Sequence, residues 1–315
     1  MAAMTRALAH PNIALVKYWG KQDKAGNMPA TPNLSITLSE LCAKTRVSDS
    51  DQFEFQLNGQ LVDDLKVKTL VDSMTQEFNL PPMRIESSNN FPTSAGLASS
   101  AAGFAALVTA IDAHCQLGMN QALRSEWARR GSASAARSVC GGFVALVPPD
   151  WQAQSLAPSK HWPLEVVIAI TSHDAKGVSS TDGMERSRLT SPFYNQWVRS
   201  AGDDYAEASA AIAERDFAQL ASVAELSCLK MHSLMLTSRP ALSYWKPASL
   251  ACMDRVRELR NSGEAVFFTI DAGPQIKAVC LPESADQVAK ALADVPGVRE
   301  ILRCPLGEGA RVIDD

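Results

Sequence analysis

Residues 89–103 read Asn-Asn-Phe-Pro-Thr-Ser-Ala-Gly-Leu-Ala-Ser-Ser-Ala-Ala-Gly and constrain this chain more than any other stretch. A turn at Pro92, the flexible Gly96 and the hydroxyls of Ser94, Ser99 and Ser100 run into an apolar stripe of helical spacing at Phe104, Leu107, Val108 and Ile111. Backbone N–H groups at a helix start have no intrahelical acceptor and carry the positive end of the helix dipole. Small side chains let an anion approach them, so the pattern suits a phosphate, above all that of a nucleotide. An ordinary loop with a capped helix start fits the same residue types. Neither the Gly-Lys-Ser/Thr spacing of a P-loop nor Gly-x-Gly-x-x-Gly is present, which disfavours those two nucleotide folds.

A chain of 315 residues can bury a sizeable core, in one large domain or two. Its 46% apolar and 20% charged residues are those of a globular protein, not a disordered one. The net charge of −4 and the lack of basic runs argue against a general nucleic-acid binder, so an anionic ligand needs a local cluster. No apolar stretch approaches the roughly 20 residues of a membrane span. The first residues lack a secretion signal's apolar segment, and a cytoplasmic location is expected. Seven scattered cysteines without a Cys-x-x-Cys pair, and five dispersed histidines, indicate buried thiols and no transition-metal centre.

Period-two alternation over 33–38, 45–47 and 53–57, with the Asn58-Gly59 hairpin signal, predicts an antiparallel sheet early in the chain. A helix is expected over 66–78, ahead of Pro81-Pro82, then a strand over 83–87 leading into the phosphate loop. Asn120 is placed to cap a helix that stops at Gly131. Continuous apolar runs at 142–147 and 164–170 read as buried strands, and 176–184 as a loop dense in hydroxyls. Helices over 204–214, 216–232, 248–261 and 285–293 and strands over 265–271, 277–281 and 311–313 make the later residues α+β as well.

Three further places invite chemistry. Lys17 and Lys21 flank Tyr18, Trp19 and Gly20 at a strand exit, where they form either a solvated edge or a ligand contact. Residues 131–138, Gly-Ser-Ala-Ser-Ala-Ala-Arg-Ser, embed Arg137 in small and hydroxyl side chains, which is either a second anion site or a closely packed helix. Asp271 ends an apolar strand at Ala-Gly-Pro, as a turn former or as a rigidly held carboxylate.

With these motifs in order, Asn12-Ile-Ala-Leu-Val-Lys-Tyr-Trp-Gly-Lys21, residues 89–100, 130–138 and 178–184, and Phe268-Thr-Ile-Asp-Ala-Gly-Pro274, the chain resembles the diphosphomevalonate decarboxylases of the GHMP kinase superfamily. The resemblance implies an α+β, two-lobed fold, with a ribosomal-protein-S5-like lobe (1–187), a ferredoxin-like lobe (188–315) and the active site between them. It implies ATP-dependent, magnesium-requiring decarboxylation of mevalonate 5-diphosphate to isopentenyl diphosphate in isoprenoid biosynthesis, by a homodimer. Asp271 would then be base to the C3 hydroxyl, Arg137 would hold the carboxylate and Lys17 would support Asp271. Substrate contacts would come from Tyr18, Trp19, Gly20 and Lys21, from Ser132, Ala133, Ser134, Ala135, Ala136 and Arg137, and from Ser180, Thr181 and Met184. ATP phosphates would lie on Ser94, Ala95, Gly96, Leu97, Ala98, Ser99 and Ser100, with Ser99 and Ser100 also on magnesium.

Ala133 stands where many relatives have glycine, Thr181 where some bacterial members carry arginine, and Glu54-Phe55-Gln56 where some place a substrate-binding arginine. These departures bear on diphosphate preference. A phosphomevalonate decarboxylase and a mevalonate 3-kinase share the architecture, but retention of both Asp271 and Arg137 argues against a kinase alone. A silent binding protein would be expected to have lost a lysine, arginine or aspartate of this set.

Overall fold

The computed structural model describes residues 4–23, 26–91, 99–174 and 176–314. The chain opens with strands β1 (Met4–Ala9), β2 (Asn12–Val16), β3 (Lys21–Asp23), β4 (Met28–Pro29), β5 (Asn33–Thr37), β6 (Ala43–Asp49), β7 (Glu54–Leu57) and β8 (Gln60–Leu61). Helix α1 (Leu65–Phe78) and strand β9 (Met83–Asn89) precede helices α2 (Ser99–His114), α3 (Gln121–Gly131) and α4 (Ala135–Ser138). Strands β10 (Phe143–Leu146), β11 (Ala153–Ala157) and β12 (Glu165–Ile170) lead to helices α5 (Ser180–Thr190), α6 (Tyr194–Glu214), α7 (Phe217–Leu236) and α8 (Pro247–Asn261). Strands β13 (Val266–Thr269) and β14 (Ile276–Cys280), helix α9 (Ala285–Ala293) and strands β15 (Glu300–Pro305) and β16 (Arg311–Ile313) complete it.

Local chemistry accounts for these elements. Asn58 and Gly59 both have positive φ, 51° and 78°, and turn β7 into β8 so that Leu57 faces Gln60. Asp64 caps α1 by accepting from Lys66 N at 2.8 Å, and Asn79 ends the helix in the left-handed region. Between them Val67, Leu70, Val71 and Met74 form the buried stripe. Helix α2 has no such stripe, because Ala101, Ala102 and residues 104–112 are all buried; its small side chains let β1, β6, α3 and α4 close around it.

Residues 176–184 are only partly a loop: Ser179 caps α5, accepting from Asp182 N at 3.1 Å, and the helix begins at Ser180. Helix α6 begins well before residue 204, since Tyr194, Trp197 and Ala201 bury one face just past the turn at Ser191 and Pro192. Strands β1, β11 and β15 carry no clean alternation and are held by pairing with neighbours rather than by a local signal.

The sheets run in the orders β16-β1-β6-β9-β7-β8, β11-β10-β5-β2 and β13-β14-β12-β15, with β3-β4 as a hairpin. Segments cross between the halves. β12 is a central strand beside β14 and β15, while β16 returns to pair with β1, Ala7 opposite Val312. One core contains Leu34, Ile36 and Phe143 from the second sheet, Val166, Ile168, Phe267 and Val279 from the third, and Leu220 and Val223 from α7. Helix α7 therefore packs against both β2 and β13, the strands that end at the site.

Candidate active site

β2 delivers Lys17 one residue beyond its end, after an irregularity in its pairing with β5 between Ala14 and Val16. The Lys17 N–H donates to Ser227 Oγ on α7 at 2.9 Å. Its Nζ donates to Ala14 O at 2.8 Å and to Asp271 Oδ1 at 2.6 Å. On the other side of Asp271, Lys277 Nζ of β14 lies 3.3 Å from Oδ2. The two lysines are 1% exposed and the aspartate 27%, so the carboxylate faces outward from ammonium groups that lie behind it.

The backbone before Asp271 is clamped from α7. Ile270 N donates to Cys228 Sγ at 3.2 Å, and His232 Nε2 lies 3.2 Å from Ile270 O, the ring tilted against Trp245 with centroids 4.6 Å apart. Burial pushes the Asp271 carboxyl up, but Lys17 and Lys277 outweigh it and hold the group well below the usual carboxylate range. Burial drives His232 down to about 3, which leaves it a neutral imidazole.

Arg137 sits on α4, four residues that are all buried, with its side chain enclosed by polar neighbours. Nε donates to Ser35 Oγ at 2.9 Å, Nη2 to Asn12 Oδ1 at 3.0 Å and Nη1 to Asn33 Oδ1. Asn12 in turn donates to Ser134 O at 2.9 Å and Ser138 Oγ at 2.8 Å, tying β2 to α4. No carboxylate neutralises Arg137 by contact among the described residues; burial lowers it to about 10, partly countered by Asp271 and Tyr18. Beside it the buried Tyr18 hydroxyl has no hydrogen-bond partner among the described residues, and burial pushes it upward.

These groups line one cavity of about 1100 Å³. Of the residues singled out in the sequence, it brings together Lys17, Tyr18, Trp19, Lys21, Ser99, Ser100, Ser132, Ala133, Ser134, Arg137, Ser180, Thr181, Met184 and Asp271. Ser94, Ala95, Gly96, Leu97 and Ala98 lie outside the described residues. Gly20, Ala135 and Ala136 do not line the cavity. Gly20 has φ of +125° and an added Cβ there would collide with the Tyr194 hydroxyl, while the two alanines are fully buried residues of α4. Trp19 is 2% exposed and its Nε1 donates to Ser187 Oγ at 3.0 Å, so it serves the packing of α5 as well as the wall. Glu54, Phe55 and Gln56 lie in β7, away from the cavity lining.

The lining also includes residues that the motifs left unassigned. Lys176 lines the wall, and burial together with Lys277 pushes it down to about 8, with Asp271 acting against them. Asn12 organises Arg137, and Lys66, Thr69 and Ser73 present the polar stripe of α1. The spacing of that stripe is legible in sequence; what it faces is not. Arg129 and Arg130 end α3, Arg129 Nη1 donating to Gly26 O at 2.6 Å and Arg130 lying 4.0 Å over the Trp127 ring.

Among the described residues seven cationic side chains line the cavity, Lys17, Lys21, Lys66, Arg129, Arg130, Arg137 and Lys176, against the carboxylates of Glu126 and Asp271. Such a wall suits ligands carrying several negative charges. No group of three or more histidine, cysteine or acidic side chains that could hold a metal ion is present among the described residues. The Ser99 and Ser100 hydroxyls at the α2 start supply hard oxygen donors, the chemistry that a phosphate-bound magnesium ion accepts from protein.

Comparison with known proteins places this geometry. Residues 9–157 match the diphosphomevalonate decarboxylase-like N-terminal domain, and residues 166–303 the mevalonate 5-diphosphate decarboxylase C-terminal domain. A diphosphomevalonate decarboxylase of Candida albicans is 36% identical over 319 residues, covering 91% of this chain and 88% of the relative. The mevalonate diphosphate decarboxylase of Staphylococcus aureus superposes with a TM-score of 0.92 at 33% identity, over 100% of this chain and 99% of that one. A structure described as MDDEF in complex with MVAPP, AMPPCP and magnesium also gives 0.92 at 33% identity, over 100% of both chains. The α+β, two-lobed architecture is the GHMP kinase fold of those structures. Matched over both halves, and with Asp271 and Arg137 facing one cation-lined cavity, the chain belongs to the diphosphomevalonate decarboxylase family of enzymes.

Proposed function

We propose that this enzyme uses ATP to convert mevalonate 5-diphosphate into isopentenyl diphosphate, releasing ADP, phosphate and carbon dioxide. One observation carries the reading: Asp271, ionised between two buried lysines, faces the same cavity as the Arg137 guanidinium. A hydroxyl and a carboxylate of one small molecule can therefore be gripped together, while the remaining cations meet phosphates.

In this reading Asp271 accepts a hydrogen bond from the C3 hydroxyl, aims its oxygen at the terminal phosphoryl group of ATP and takes the proton as transfer completes. A carboxylate held below its usual range is a weak base, which suits a transfer that depends on position and charge neutralisation more than on early proton removal. The C3–O bond then breaks with phosphate as leaving group. The C–C bond to the carboxylate supplies the electron pair of the new double bond, and carbon dioxide departs. Arg137 orients that carboxylate with a guanidinium fixed by Asn12, Asn33 and Ser35.

Tyr18, Lys21, Ser132, Ser134 and Thr181 take the diphosphate end, with Lys17 and Lys176 offsetting phosphate charge. The α2 start with residues 94–100 takes the ATP phosphates, and Lys66, Thr69 and Ser73 of α1 the adenosine end. Magnesium held through Ser99 and Ser100 would neutralise phosphate charge when bound. The complex of the structural neighbour with MVAPP, AMPPCP and magnesium supports this pair of ligands. The resemblance extends the reading to a homodimer acting in the cytoplasm.

The test is incubation of the purified protein with magnesium-ATP and either mevalonate 5-diphosphate or 5-phosphate, following ADP and carbon dioxide together. Equal yields of both from the diphosphate are expected. ADP without carbon dioxide would make the enzyme a kinase, and turnover of the 5-phosphate alone would change its substrate class.

A further inference from the structure

β14 is a central strand whose five residues are all buried. Ile276, Ala278 and Cys280 enter the core beneath α8 and α9, and Val279 enters the core shared with α7. Lys277 alternates with them on the Val279 side, opposite Thr269 of β13 and Ile168 of β12. A strand pattern calls for an apolar residue there. Lys17 already neutralises Asp271 at 2.6 Å, so a second ammonium 1% exposed leaves the three groups with a net positive charge in the interior. That arrangement works against folding, since a charge buried at 1% exposure loses its hydration.

We propose that Lys277 is a positioning residue for the reaction: it holds Asp271 Oδ2 while Lys17 holds Oδ1, fixing the carboxylate plane toward the cavity and its charge in the ionised state. The inference rests on Asp271 being the group that receives the substrate hydroxyl. With one lysine per oxygen, rotation of the carboxylate about its Cβ–Cγ bond is blocked from both sides, and the remaining lone pairs point outward. The other groups facing Asp271 are Lys176 just before α5, Arg137 on α4, and Cys228 and His232 on α7. None of these holds Oδ2.

The experiment compares wild type, Lys277→Met, Lys277→Arg and Asp271→Asn in the full chain. It reads kcat and KM for magnesium-ATP and mevalonate 5-diphosphate across pH, with Tm beside them. Lys277→Met is expected to lower kcat by about 10²-fold, the scale of a misplaced catalytic group, with KM values changed less than about threefold. Its acid limb should lie at higher pH than in wild type, because loss of the cation raises the Asp271 pKa. Lys277→Arg should keep the wild-type acid limb and recover part of kcat. Should the methionine variant not fold, the arginine variant alone decides: an acid limb displaced from wild type overturns the proposal. A folded Lys277→Met with wild-type kcat and acid limb, or one that loses only Tm, overturns it too. Full activity in Asp271→Asn removes the underlying base reading; an inactive Asp271→Asn beside a normal Lys277→Met removes this inference alone.

Discussion

Lys17 Nζ lies 2.6 Å from Asp271 Oδ1 across 254 residues of chain, and Ala14 O accepts from both Lys17 Nζ and Thr269 Oγ1. The pair thus joins the end of β2 to the end of β13, with α7 packed on both strands. Asp271→Asn is expected to preserve the fold and ATP binding while lowering turnover by about 10²- to 10⁴-fold. Steady-state kinetics and an ATP titration of the variant measure the two effects, and near-wild-type turnover would exclude Asp271 from the chemistry.

Arg137 is held by three oxygen acceptors on the strand side, Asn12, Asn33 and Ser35. Lysine cannot satisfy that fork, so Arg137→Lys should leave buried acceptors unpaired and lose carboxylate orientation despite the conserved charge. A kcat/KM for mevalonate 5-diphosphate reduced by about 10-fold or more is expected, with a lower Tm. An unchanged kcat/KM would count against the carboxylate clamp.

The Tyr18 hydroxyl is buried without a hydrogen-bond partner among the described residues. Tyr18→Phe removes no internal hydrogen bond, so Tm should stay the same or rise. Calorimetric binding of mevalonate 5-diphosphate should weaken by about 10-fold, the worth of a hydrogen bond to a charged group. Equal affinity would mean that the hydroxyl does not meet the ligand.

Lys176 carries its charge below a pKa of about 8, lowered by burial and by Lys277. If it offsets phosphate charge, kcat/KM should fall as pH rises through about 8, because the neutral amine cannot attract the anion. Lys176→Arg stays charged across that range and should flatten the basic limb. A wild-type profile level to pH 10 would exclude the role.

His232 is kept neutral by burial, its pKa lowered to about 3 against 6.5 for the free side chain. The unfolded chain takes up a proton below 6.5 and the folded chain does not, so stability falls as pH drops from about 6.5 toward 3, by about 1.4 kcal/mol per pH unit for this one group. Thermal melts between pH 7 and 4 should show a shallower acid slope in His232→Gln than in wild type. Parallel slopes would show that another group governs it.

Residues with a local signature were legible in advance. Asn58-Gly59 announced a hairpin because only a few residue types adopt positive φ, and Leu70, Val71 and Met74 announced α1 because apolar residues repeat with the helical period. Other features had no local signature. Lys277 reads as the first residue of a strand and Lys176 as a member of a polar loop, since what each faces is set by the pairing of β13 with β14 and by groups brought together in the packed chain.

The sequence by itself carried a resemblance to the family in the order of its motifs and singled out Lys17, Arg137 and Asp271, and it gave an α+β pattern because backbone conformation and apolar periodicity are encoded over a few neighbouring residues. The tertiary structure alone decided that Asp271 lies between two lysines, that Asn12 and Asn33 hold Arg137, and that the Tyr18 hydroxyl has no hydrogen-bond partner among the described residues. Those relations depend on which strand ends α7 brings together and on how much water is excluded there. Both are properties of the packed chain and not of any segment of it.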